Sequence, residues 1–169
     1  MSGRLVQGHA TELWQQLVHE GGARVGAGLD EELESYLVFL LMRHQNDAPL
    51  LGRVLAIEYL QALELGGQRR LDELRDVGDR CLILAGLFPE QARRRRVDDD
   101  YFIVLGQGAY HAVAEQARAA YAALFNRLAE AYAALVSVLS GMRATFDDHG
   151  PRLQRIPLPA WPEPAGRTH

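Results

Sequence analysis

The chain has 169 residues, 48% of them apolar, with a net charge of −4 and a pI near 5.8. That suits one domain with an ample core, and the charge has the wrong sign for binding nucleic acid or an anionic membrane. All 18 basic residues are arginine, which excludes a Walker A loop and a Schiff-base lysine, and the single cysteine, Cys81, excludes an intrachain disulfide and a CxxC metal knuckle.

The opening MSGRLVQGHATELW lacks an apolar stretch of signal-peptide length. The longest unbroken apolar run, Leu37 to Met42, is far short of a membrane span. A soluble cytoplasmic protein is expected, and the arginine-only usage fits a GC-rich bacterial genome. The first helix is predicted from Thr11, an N-cap followed by Glu12, with Leu13, Trp14, Leu17 and Val18 on its apolar side. It should end at Gly21-Gly22, leaving Gly21 to Gly28 as a flexible connector.

The second helix is predicted from Asp30, with Glu31 and Glu32 complementing its dipole, to about Gln45. It is apolar almost all round, which marks a central, buried helix. Asn46 to Pro49 reads as a turn leading into a third helix that stops at Gly66-Gly67. The fourth, about Arg70 to Ala85, has Leu71, Leu74, Val77, Cys81 and Leu84 on one side. A short helical piece from Pro89 follows, then a helix opened by Asp98 to Asp100, with a kink expected at Gly106 and Gly108.

From Tyr110 to Met142 apolar residues recur at four-three spacing without a proline: Tyr110, Ala114, Ala117, Tyr121, Leu124, Leu128, Ala131, Leu135, Val138, Met142. Unbroken, this is a helix of about 33 residues and roughly 50 Å. Its alanines and tyrosines differ from the leucine and isoleucine of a dedicated zipper. It therefore reads as the spine of its own bundle, with any projecting end near Met142 offered to a second chain. The last twenty residues hold five prolines and should form an extended, polyproline-like tail. The expected fold is all-α: a bundle of five or six helices over 1–146 and a tail over 147–169.

Candidate sites are sparse. Arg93, Arg94, Arg95 and Arg96 could grip an acidic partner, but four consecutive helical residues point four ways and Asp98 to Asp100 lie close enough to neutralise them. Trp161, set among prolines, suits a docking contact on this chain or on another. Gly106-Gln107-Gly108 lacks the third glycine and preceding strand of a dinucleotide loop. His111 and Glu115 are four apart, a metal-ligand spacing, yet they share an ordinary polar strip with Gln107 and Arg118. His44 and Glu58 stand where apolar residues belong, and a buried carboxylate needs a partner. Cys81 is expected to be a buried structural thiol.

The segment GDRCLILAGLFPEQARRRRVDDDYFIVLGQGAYHAVAE, Gly78 to Glu115, resembles a pattern recurring in an uncharacterised proteobacterial family of all-helical proteins. The resemblance implies no activity, cofactor or catalytic residue; it marks the segment as that group's signature. Two functions remain. One is a non-enzymatic interaction or regulatory protein that self-associates as a homodimer. The alternative is a small-molecule or cofactor-binding bundle lined by Glu58, His44, Tyr36, Tyr59, Tyr101 and Tyr110. No nucleophile motif supports an enzyme, although Glu58 is the residue a carboxylate-base enzyme would use. No cofactor is predicted, and neither a nucleic-acid nor a membrane partner.

Overall fold

A computed structural model describes residues 2–45, 54–94 and 100–148. Among these there are eight helices and no strand, so the chain is all-α. They are α1 (Ser2–Val25), α2 (Glu31–His44), α3 (Leu55–Leu63), α4 (Gly67–Leu87), α5 (Pro89–Arg94), α6 (Tyr101–Gln116), α7 (Ala119–Glu130) and α8 (Tyr132–Asp148). Pro49, Arg95, Arg96, Asp98, Asp99 and the tail with Trp161 lie outside the described residues.

α4 lies at the centre, packed by α3, α6 and α8, while α1 lies along α8 and pairs with α2. The core gathers Trp14, Leu37, Leu74, Leu82, Leu87, Phe125, Leu128 and Leu135, each no more than 2% exposed. A smaller group, Leu55, Val77, Cys81, Leu84, Phe102 and Ala109, joins α3 to α4 and α6. α2 starts as its sequence dictates. Asp30 caps it by accepting the Leu33 N–H at 3.0 Å, with Glu31, Glu32 and Glu34 in the first turn and Arg43 and His44 in the last.

Several expectations are corrected. The described residues form eight helices, not five or six. α2 is not central, and its Phe39 is 66% exposed. α1 starts at Ser2, not Thr11, and does not stop at Gly21-Gly22 but runs to Val25. Gly21 is needed where α1 crosses α8: a Cβ there would sit 2.6 Å from the Val138 carbonyl oxygen and 2.9 Å from the Met142 nitrogen. The connector shrinks to the few residues after Val25, where Gly26 has a φ of +69° that glycine adopts without strain. α6 likewise runs as one continuous helix through Gly106 and Gly108. Gly106 leaves space for Tyr132; a Cβ there would collide with that ring and lie 2.8 Å from Cys81 Cβ.

The long stripe is not one helix. It breaks after Gln116, where Ala117 and Arg118 take extended angles (ψ 161° and 158°), and again at Ala131, where α7 and α8 meet at a 65° bend. The physical reason is aromatic burial. In a straight helix Tyr110 and Tyr132 would stand about 33 Å apart along the axis; here their ring centroids are 5.4 Å apart. Folding the stripe back on itself makes its apolar rows face one another. Met142, expected at a projecting end, is wholly buried. No single helix among the described residues is long and apolar enough to cross a membrane.

Candidate functional site

The break in the stripe brings Tyr110 of α6 and Phe125 of α7 onto the side of α2 that carries Tyr36. Their rings meet edge-on, with centroids 6.1 Å apart for Tyr36–Tyr110, 5.6 Å for Tyr36–Phe125 and 5.3 Å for Tyr110–Phe125. Edge-to-face packing matches positive ring edge to negative ring face. Both hydroxyls of this cluster point at one atom, Oδ1 of Asp79 on α4. Tyr36 donates to it at 2.7 Å and Tyr110 at 2.5 Å.

Asp79 is the buried carboxylate of the core, 0% exposed. Its other oxygen, Oδ2, pairs with the Arg43 guanidinium, and His44 Nε2 lies 3.2 Å away. Arg43 Nη2 also stands 3.6 Å from Oδ1 of half-exposed Asp76, one turn earlier on α4. The carboxylate therefore has two neighbours on each oxygen. That is the condition under which a charge survives burial. Gly78 makes the arrangement fit, because a Cβ there would run into the Tyr110 ring, and the Gly78 carbonyl accepts the Tyr132 hydroxyl at 2.8 Å.

Burial raises the pKa of Tyr110 and Tyr132 well above the ordinary phenol value. Burial likewise raises Tyr36, outweighing the opposing effect of the Arg43 charge. The charged phenolate would lose its hydration and, for Tyr36 and Tyr110, face a carboxylate. Both therefore remain hydrogen-bond donors throughout the physiological range.

Of the residues singled out by sequence, His44, Tyr36 and Tyr110 converge on Asp79. Glu58 and Tyr59 belong to a different side of α4. α3 packs there through Leu55 against Val77, Cys81 and Leu84, and Asp79 projects about 200° from both Val77 and Cys81. Tyr59 points towards α6, its hydroxyl 3.9 Å from the Cβ position of Gly108. Tyr101 is 37% exposed at the start of α6 and meets the Phe102 ring at 5.1 Å. His111 and Glu115 are exposed on α6, and Arg93 and Arg94 are exposed at the end of α5.

Asp79 itself was not singled out. α4 reads as amphipathic with Asp72, Asp76, Asp79 and Arg80 on its outer side, but it is buried on both sides. The available signal was the small residue at Gly78 beside a carboxylate, followed by the apolar pair Leu82-Ile83 on the supposed outer side.

A second feature lies on the outside. Val54, Ile57 and Leu60, all away from the core side of α3, are 54%, 52% and 61% exposed, and Val104 on α6 is 62% exposed. Val104 lies one turn before Gly108, where Tyr59 of α3 meets α6. Comparison with protein-family models, curated proteins and solved structures gives no match.

Proposed function

We propose that this chain is a non-enzymatic helical interaction protein that self-associates as a homodimer through the outer side of α3 and the neighbouring strip of α6. The observation that carries the reading is the exposure of Val54, Ile57 and Leu60 at three-residue spacing along α3, with Val104 exposed on α6. α3 is apolar on both its inward and outward sides, the pattern of a helix covered from two directions, while the described residues cover one. Large exposed apolar surface of this kind marks an association site.

A second copy is the occupant that fits. An acidic chain repels its own copies, and contact through uncharged Val54, Ile57, Leu60 and Val104 keeps acidic side chains out of the interface centre. A two-fold axis then sets the strip against itself, apolar on apolar. Buried phenols and a fully partnered carboxylate support a structural role for Asp79 and leave no base poised for catalysis there.

The test is chromatography with light scattering on the wild type and on Leu60→Glu. A dimeric mass for the wild type and a monomeric mass for a folded Leu60→Glu is expected. A wild type that stays monomeric at tens of micromolar contradicts the proposal.

A further inference from the structure

We propose that the cleft where α1 turns into α2 binds a small organic cation, a primary amine on an aliphatic or aromatic body. This site is independent of the α3–α6 surface and of the Asp79 network. The cleft has a volume of about 280 Å³ and lies between the last turns of α1, the connector and Glu34 of α2. Drug-sized pockets begin near ~300 Å³, so the ligand is small.

The main chain sets the shape. α1 ends in a Schellman turn: the Ala27 N–H donates to the Gly22 carbonyl at 3.0 Å and the Gly26 N–H to the Ala23 carbonyl at 3.3 Å. Gly26 supplies the positive φ, +69°, that this turn requires. The turn carries Ala27 back over α1 so closely that a Cβ on Gly22 would lie 3.0 Å from the Ala27 carbonyl oxygen. At Gly26 and Gly28, which also line the cleft, a Cβ would meet nothing within 4 Å. Hydrogen-bonded backbone thus walls an open space that is formed before a ligand arrives, which lowers the ordering cost of binding.

The chemistry of the walls selects a cation. Val18 and Leu29 supply apolar surface, and Glu34 carries the one acidic group of the lining. Asp30 and Glu32, close by in sequence, are engaged by Arg127. Glu34 is met by His19 Nδ1 at 4.0 Å, too long for a hydrogen bond. That imidazole is 78% exposed, so it swings aside at little cost. The C-terminal end of α1 adds partial negative charge at the same place, while Asp30 caps the opposing positive end of α2. The net charge of −4 draws cations to the surface and repels anions. An ammonium group donates to the Glu34 carboxylate while its apolar body lies against Val18 and Leu29.

The full chain is titrated by calorimetry with phenethylamine and with two compounds of matched shape, 2-phenylethanol and phenylacetate; backbone amide shifts in NMR spectra locate the site. One equivalent of phenethylamine is expected to bind, with the largest shifts from Gly22 to Leu29. Glu34→Gln, and replacement of the amine by the alcohol, should each weaken binding about tenfold, and phenylacetate should not bind. Ala23 is exposed on α1, so Ala23→Leu stays folded; its larger side chain fills the cleft and should abolish binding. Leu60→Glu should bind as the wild type does. The proposal is overturned if the wild type binds no amine at millimolar concentration, or if the alcohol or the carboxylate binds as tightly as the amine. It is also overturned if Glu34→Gln and Ala23→Leu leave the affinity unchanged, which places the amine elsewhere.

Discussion

Asp79 ties three helices together. It is wholly buried and joins α4 to α2 through Tyr36, Arg43 and His44, and to α6 through Tyr110. Removing one partner of a buried charge network leaves the others uncompensated, at a cost of about 3–5 kcal/mol. Asp79→Ala should lower unfolding free energy by that amount in denaturant titration, whereas Asp76→Ala, half-exposed, should cost no more than about 1 kcal/mol. The phenols set the alkaline limit. Their folded pKa values lie above the unfolded value, so their contribution is complete below about pH 10 and is lost as pH rises through the folded values. Tyr36, Tyr110 and Tyr132 should therefore show phenolate absorbance only together with alkaline unfolding, and never as a separate earlier step.

Much of this residue scale was legible: His44, Tyr36 and Tyr110 stood out as polar or amphipathic groups on apolar faces. Their common partner did not. A helical wheel shows which side of α4 is apolar, but it does not show that the other side is covered too. Glu58 had the same sequence credentials as His44, and it lies on the α3 side, away from Asp79. Which buried polar groups meet depends on how helices dock, and periodicity within one helix carries no record of that.

At the scale of elements, the stripe from Tyr110 to Met142 shows where periodicity misleads. Each of its three helices keeps the four-three rhythm, and the rhythm passes unbroken through Ala117, Arg118 and Ala131, none of them a helix breaker. Tertiary contact decides instead: breaking the helix stacks Tyr110, Phe125 and Tyr132 into one core. The structure predicts that Arg118→Pro is tolerated. Arg118 has φ −73° and follows an extended Ala117, the geometry that proline and its predecessor favour. The change should alter stability by less than about 1 kcal/mol, against the ~3 kcal/mol lost by proline inside a continuous helix. Chemical denaturation distinguishes the two. Glycines were misread for a related reason. Gly21 reads from sequence as a stop and Gly106 as a kink, but each, like Gly78, lies inside a helix where a neighbouring residue fills the space of its missing Cβ.

For the whole molecule, the all-α class followed directly from helical periodicity and the absence of strand-like alternation. The surface proposed for a second chain did not. The sequence places it near Met142, which is buried in the α1–α8 crossing, whereas the proposed surface uses exposed apolar residues of α3 and α6. A helix as short as α3 fits either one buried side or two, and only the packed bundle shows which side is left over. Sedimentation velocity over a wide concentration range, on the wild type and the double variant Ile57→Glu/Val104→Glu, tests this most directly. The account predicts a reversible monomer–dimer equilibrium for the wild type and a concentration-independent monomer for the folded variant. A wild type that sediments as a monomer throughout, or a variant that dimerises as well as the wild type, would contradict it.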